Sequence, residues 1–470
     1  MESAVGIQWA YSNKRQSAYP VPNPPEDIDQ SHPFEGTDIG DHTVNMVDNA
    51  ELYGKGHEFA TREYLLSWDT RFRRQTFLTS KMAGWGFAFH SGKVTTSALG
   101  GGAFQHIYEY QDPNGAGYYG SGRQLPVTTI VERVTSGLIR RFPSMLVSAI
   151  ELSGAMNDFC RVAMDLVGSG AMNRLPTSGS VGGSAKIGGG TDGTVTVTDD
   201  VVGDSAKTIE VVVAPGVSAS MAAAITGDDI TVTLGTDVTG APDPAKNTAT
   251  LVAAAVEALA GVTAVASGTG ADPITGGSPP KGFTGGGVAF VFPTGTDANE
   301  GERLRNTAML FQVGETGDLQ DVSCDIRSWR FRSEYSLADV DGYCPGSGYF
   351  VPGDPLSGQV RNKLEFLRRA VMLEWVIRAS ADNTIFTQLE QLVNLAATIT
   401  LTGAAITGSS AYHEVKINVP QINYRAIPIG VDGDLITYSL QTVIRWDDTL
   451  QNPWEVTIKN DTDQYLAASV

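Results

Sequence analysis

The chain has 470 residues, a length that suits about three domains of ordinary size. Charged side chains make up 18% and apolar ones 41%, and 53 Gly with 22 Pro mark a turn-rich globular protein rather than a disordered one. With 52 acidic against 33 basic residues the formal charge is -19, which argues against a surface that grips nucleic acid by its phosphates but not against one to which a polyanion must not adhere.

Residues 1–40 read as an N-terminal arm carrying the Pro-rich VPNPPED. The start, MESAVGIQWAYSNKRQ, lacks a positive segment followed by an apolar core, so no signal peptide is expected and a reducing cytosol is the expected site of synthesis. Cys160, Cys324 and Cys344 form neither a disulfide framework nor a CxxC metal site. Buried thiols are expected, with a Cys324–Cys344 bridge as the alternative.

Residues 41–176 are rich in aromatic residues and arginine. TREYLLSWDTRFR puts Tyr64, Leu66, Trp68 and Phe72 on one face of a strand, and QTFLTSKMAGWG follows as a short helix. FQHIYEYQDP, LPVTTIVERV, MLVSAIELSG and DFCRVAMDLVGSG are short strands between turns.

Composition changes in residues 177–287. Between Arg174 and Arg303 there is no arginine, Trp or Tyr. LPTSGSVGGSAKIGGGTDG and GSPPKGFTGGG read as tethers at the two ends of a separate module. Inside it GTVTVTDD, KTIEVVVAPG and DDITVTLGT are strands, followed by a helix capped by Asn247 with Leu251, Val252, Val256 and Leu259 on one stripe. VTAVASG and DPITGG close the unit as further strands. The apolar run starting at Leu251 is broken by Glu257 and Gly261 and is too short to cross a bilayer, so no membrane anchor is expected.

Residues 288–470 return to the first pattern. DIRSWRFRSEY sets Trp329, Phe331 and Tyr335 against Arg330, Arg332 and Glu334. Residues 341–358 form a Gly- and Pro-rich loop long enough to suggest a binding element. AVMLEWVIRAS places Val371, Leu373, Trp375 and Ile377 on one side of a strand. DNTIFTQLEQLVNLAA is a helix capped by Asp382 or Asn383 with Ile385, Phe386, Leu389, Leu392 and Val393 on its apolar stripe. ATITLTG, HEVKINVP, DLITYSLQTVIRW and WEVTIKN finish the chain as strands. YLLSWDTRF with TFLTSKMAGW matches VMLEWVIRAS with IFTQLEQLV in order: a Leu-x-Trp strand, a break, an amphipathic helix, then antiparallel strands. A duplicated domain and the loose likeness of any two strand-helix-strand stretches both explain it.

Catalytic patterns are missing. No HExxH or GxSxG occurs, GGSAKIGGGTDG lacks the GK[ST] ending of a phosphate loop, and His57–Glu58 and His413–Glu414 read as solvated surface pairs. DVDG at 339–342 and DGD at 432–434 lack the Glu and the length of a calcium loop and read as turns. No catalytic residue, cofactor or metal is expected. Arg71, Arg73 and Arg74, with the pairs Arg140–Arg141 and Arg368–Arg369, could bind an anion, but salt bridges between subunits are the simpler expectation amid so much acid. Glu132 in TTIVERV and Glu414 and Lys416 in HEVKINVP alternate with apolar neighbours and are expected to point away from the core.

The outer segments resemble phage tail tube proteins. The resemblance lies in SMLVSAIELSGAMNDFCRVAMDLVGSG and in the succession ITLTG, YHEVKINVP, ITYSLQTVIRW, WEVTIKN, while the middle block resembles a small α+β insert of virion proteins. It implies a mainly β fold: a tail-tube-like β-sandwich with a flanking helix, in one divided copy or two, plus the inserted α+β domain. It further implies a structural, non-enzymatic virion protein of the tail, assembled in the host cytoplasm beside other tail proteins. Its sheets would join into rings that stack as an acidic-lined conduit, through which DNA passes without specific binding. Such rings hold six tube domains, so the homo-oligomer would be a trimer if the domain is duplicated and a hexamer otherwise. Glu132, Glu414, Lys416, Arg71, Arg73 and Arg74 become lumen or inter-subunit candidates. Asp341, Tyr343, Tyr349 and Asp354 of the long loop, with the N-terminal arm, become inter-ring candidates, and the insert would project outward. A virion decoration protein or adhesin whose insert binds a host glycan is the alternative, and a hydrolase is a third reading.

Overall fold

Alternating apolar residues put most of the chain into strands, and the protein is mainly β. The computed structural model describes residues 8–18, 21–32, 41–48, 63–112, 114–115, 117–119, 122–135, 138–175, 182–189, 191–202, 205–283, 290–293, 303–337, 366–379, 384–432 and 435–469. His57, Cys344, Asp382, Asn383 and the 341–358 loop with Asp341, Tyr343, Tyr349 and Asp354 lie outside them, as do the side chains of Tyr64, Leu66, Trp68 and Arg368.

The N-terminal region gives two short strands, β1 (Gln8–Tyr11) and β2 (Gln30–Ser31). β3 (Asp41–Asp48) and β4 (Glu63–Phe77) pair antiparallel and lead into helix α1 (Ser80–Ser91). β5 (Gly92–Gly100), β6 (Ala103–Tyr110), β7 (Thr128–Thr135), β8 (Leu138–Ala155), β9 (Arg161–Val167) and β10 (Asn173–Leu175) follow.

Helix α1 departs from the expected amphipathic, flanking helix. Thr79 caps it by accepting from Met82 N at 3.1 Å, Gly92 ends it at φ 78°, and every residue between except Lys81 is buried. SKMAGWGFAFHS is small or apolar all round, which suits a helix enclosed by sheets rather than laid on one. Its glycines serve packing. A Cβ at Gly84 would stand 2.6 Å from the Tyr465 hydroxyl, and one at Gly86 would stand 2.7 Å from Ile150 Cδ1.

The middle module consists of β11 (Gly182–Gly188), β12 (Thr194–Val202), β13 (Thr208–Val213), β14 (Ala222–Thr226), β15 (Asp229–Leu234), helix α2 (Ala249–Glu257), β16 (Val262–Ala266) and β17 (Ser278–Gly282). β11, β12 and β16 form one sheet, and β14, β15, β13 and β17 another. Ile187, Val197, Ile209, Val232, Val252 and Val256 belong to a core of its own. Both tethers contribute strands: Ala185 and Ile187 point inward from β11, and β17 pairs with β13. The last expected strand falls at β17 rather than at DPITGG, where Ile274 is only a buried plug. The cap of α2 is Thr248, accepting from Leu251 N at 3.4 Å, because Asn247 exchanges two hydrogen bonds with the Gly235 backbone. Leu251 is exposed; Ala249 and Ala253 share the buried stripe with Val252 and Val256.

β18 (Met309–Glu315), β19 (Asp318–Asp321), β20 (Ile326–Leu337) and β21 (Phe366–Arg378) precede helix α3 (Thr384–Glu390). β22 (Leu395–Ala405), β23 (Tyr412–Ala426), β24 (Ile429–Asp432), β25 (Leu435–Ile444) and β26 (Glu455–Asn460) complete the chain. Ile385, Phe386, Leu389 and Val393 pack against the core, whereas Leu392 follows the helix at φ 52° and is exposed.

Both outer segments share one hydrophobic core, from Trp9 and Phe72 through Phe331 and Trp375 to Leu466. The module leaves and returns at one place: Leu175 of β10 and the returning Phe290 and Phe292 pack with Ile28, Val131 and Ile139.

Candidate functional site: an open-ended strand array

Backbone pairing runs β3, β4, β9, β8, β20, β21, β25, β24, and every neighbouring pair in this series is antiparallel. β3 has β4 as its partner and β24 has β25, so among the described residues each end of the array presents one strand edge with no neighbour. β8 is long because it passes from this array into a second layer, and β23 is long because its last part pairs with β25, next to β24, while its first part lies in that second layer. The first part of β8 pairs with β7 and β10, and the first part of β23 with β22 and β26.

One side of the array faces the core with Phe72, Met164, Leu152, Phe331 and Trp375. The seam between the two outer segments is β8–β20, registered from Ser328↔Ala155 to Glu334↔Ala149. Helix α1 closes this seam from inside. His90 Nδ1 donates to Val147 O at 3.1 Å, which leaves Nε2 to accept from Ser333 Oγ at 2.8 Å. Ser333 accepts in turn from the Tyr110 hydroxyl at 2.7 Å, and Tyr110 from Trp454 Nε1 at 2.7 Å. Burial, reinforced by the Arg369 and Arg332 charges and opposed by the Val147 hydrogen bond, lowers the His90 pKa from 6.5 to about 3, so the ring is neutral. Between those values the unfolded chain takes up a proton that the folded chain refuses. Stability is therefore expected to fall on acidification below pH 6.5, by at most about 1.4 kcal/mol per pH unit from this group. Urea midpoints at pH 7 and 4.5 should differ less for His90→Gln than for the wild type; equal differences would contradict it.

The other side carries charge. Arg73 stands opposite Asp165, Arg332 opposite Glu151 and Arg330 opposite Glu374 in the strand register. Arg332 lies 3.3 Å from Glu151, 3.0 Å from Asp165 and 2.8 Å from Glu334, and Arg73 reaches Glu151 at 3.7 Å and Asp165 at 3.9 Å. Arg330 meets Glu374 at 3.0 Å and Arg71 meets Asp69 at 2.8 Å. Partial desolvation works against the Arg332 charge, but its carboxylate partners outweigh it and raise the pKa above the usual value. A shallow concavity of about 360 Å³ lies on this face, lined by Ser153, Arg161, Ser328, Arg330, Val376 and Ser439 among others.

Several sequence-derived candidates lie elsewhere. Glu132 does not point outward: it is fully buried, 2.5 Å from Arg74 Nη2 and also paired to Arg140. β7 is covered on both faces, so alternation could not tell inside from outside there. Arg71, Arg73, Arg74 and Arg140 all pair within the chain, where bridges between subunits were expected. Glu414 and Lys416 do turn away from the core, with Glu414 bonded to Lys459 at 2.9 Å, but they sit where β23 runs between β22 and β26, off the array. His413 is buried with Nδ1 2.9 Å from Ser80 Oγ and is not a surface partner of Glu414. Cys160 is a buried free thiol whose pKa burial pushes up to about 12, while Cys324 is free and exposed, against the expectation of burial. Sequence reasoning missed His90, Ser333, Glu151 and Asp165; the polar residue in the apolar FAFHS was the one local signal.

No family model matches the chain, and no curated protein matches its sequence. Among the described residues, no group of three or more His, Cys, Asp or Glu is placed to hold a metal ion, and no helix is long and apolar enough to cross a membrane.

Proposed function

We propose that this chain is a structural virion protein whose copies join edge to edge into rings, which stack as a phage tail tube through which DNA passes. The observation that carries the proposal is the array that, among the described residues, ends in two open edges after following the same path twice. A strand leads into a helix and pairs with a late strand of its set, β4 with β9 and β21 with β25. The neighbours repeat too: β3 and β8 flank the first pair, β20 and β24 the second. On this reading the chain holds two tube domains, and the β8–β20 seam is the joint between them.

The same joint can form between chains. β24 occupies in the second set the place of β8 in the first, and β3 the place of β20, so β24 of one copy would pair with β3 of the next. Because neighbours in the array alternate in direction and their number is even, that contact is again antiparallel. Such a head-to-tail contact closes into a ring when the rotation permits, and removes the open edges that otherwise invite aggregation. With two tube domains per chain, three chains complete a six-domain ring.

The charged face then lines the channel. It is not the acidic lining anticipated from net charge: among the described residues Arg71, Arg73, Arg161, Arg330, Arg332 and Arg378 share it with Asp69, Glu151, Asp165, Glu334, Glu374 and Asp432. The insert, with its own core and adjoining ends, would sit outside the ring as a dispensable appendage. Negative-stain microscopy of the full chain and of a chain lacking residues 177–287 is the test. Threefold rings or hollow tubes are expected from both. Monodisperse globules at high concentration would defeat the tube, and loss of assembly in the deletion alone would defeat the dispensable insert.

A further inference from the structure

The outward face poses a chemical problem. A guanidinium is a rigid fork that matches a phosphate, and each arginine free to bind one adds affinity and salt dependence. If this face lines a channel, exposed arginines repeated around each ring would hold a duplex at every level.

We propose that Glu151 and Asp165 are guards: they occupy Arg73 on their own side of the β8–β20 seam and Arg332 across it, and so keep both guanidinium groups from the phosphates of a passing duplex. The proposal rests on the tube reading, which supplies the duplex. Four neighbouring strands each contribute one member, Arg73 from β4, Asp165 from β9, Glu151 from β8 and Arg332 from β20. Each arginine lies within 4 Å of both carboxylates, and Glu334 adds a third carboxylate to Arg332 at 2.8 Å, so the two positive charges are fully covered by negative ones. The group reaches solvent unevenly: Arg73 is 46% exposed and Asp165 32%, against 21% for Arg332 and 15% for Glu151. The pairs of half-exposed Arg73 contribute little to stability, so fold maintenance alone is a weak reason to extend the group to β4. Masking of the arginines accounts for the carboxylates gathered on both of them.

The test compares the full-length wild type with the double variant Glu151→Gln plus Asp165→Asn, which keeps shape and hydrogen-bonding capacity. Binding of a fluorescent duplex of about 30 base pairs is followed by anisotropy across a salt series. The variant is expected to bind at least about tenfold more tightly at low salt and with a steeper salt dependence, and adding Arg73→Gln and Arg332→Gln should abolish the gain. The single variants should give intermediate gains, which guards against misfolding of the double variant. A variant that melts earlier but binds no more DNA would show a seam brace only and overturn the proposal. A gain that survives loss of both arginines would overturn it as well. Ring formation, read separately by microscopy on the wild type, reports on the tube reading, so failure of one is distinguishable from failure of the other.

Discussion

Truncating Glu132 to alanine is expected to destabilise the fold by about 3–5 kcal/mol, the range for breaking a buried ion pair from one side. Glu132 is fully buried on β7 between β1 and β8, with Trp9 and Arg140 as its register partners. Its two oxygens are divided between Arg74, which is 1% exposed, and Arg140. Alanine would remove the carboxylate that both guanidinium groups share while leaving Arg74 stacked over Phe72, its Cζ 4.7 Å from the ring centroid. A desolvated cation without that counter-charge costs far more than the pair gains relative to an apolar substitute. Glu132→Gln keeps the volume and one acceptor, so a smaller loss is expected. Glu334→Gln, which removes one of several partners from a partly exposed arginine, should cost under about 1 kcal/mol. Urea denaturation of the three variants orders these values. A Glu132→Ala protein as stable as the Glu334→Gln protein would contradict the account.

How far the sequence could be read depended on what covered each strand. In β20 and β21 one face is covered by the core, so Trp329, Phe331, Leu373 and Trp375 stand out from their polar neighbours and were placed correctly by alternation. β7 is covered on both sides, and Glu132 was misplaced by the same rule. Glycine misled in a different way. GGSAKIGGG looks like a tether, yet Gly182 sits where a Cβ would come within 1.7 Å of Asp199 O, so glycine there permits close strand approach and not looseness. Gly84 and Gly86 do the same inside α1, making a central helix from a segment that read as peripheral. The ion pairs were illegible for a further reason. Spacing within DTRFRR and RSWRFRSE shows which arginines share a face, but Arg332 finds Asp165 and Glu151 far away in sequence, and only pairing across the seam brings them together.

Charging the open edge at β24 is expected to abolish ring formation without unfolding the chain. Ile429 and Val431 are 65% and 75% exposed, so replacing both by lysine removes little packing, and each change should shift monomer stability by less than about 0.5 kcal/mol. Exposed apolar residues on an unpartnered edge strand are what natural proteins avoid unless the edge is used, and lysine is a common means of blocking one. In the proposed ring each lysine would sit beside the β3 strand of the next copy, and every contact of the ring would carry it because all are equivalent. Sedimentation and microscopy should therefore show the Ile429→Lys, Val431→Lys protein as a folded monomer under conditions where the wild type forms rings. The positive counterpart uses Cys324→Ser and Cys344→Ser so that buried Cys160 is the one native thiol left, Val431→Cys on β24, and a single cysteine moved along β3 from Thr43 to Val47. Only positions that bring the two Cα atoms within about 7 Å can bridge, so oxidation should link chains at one register and not at its neighbours. Efficient rings from the lysine variant, or cross-links at no position along β3, would place the contact between copies elsewhere.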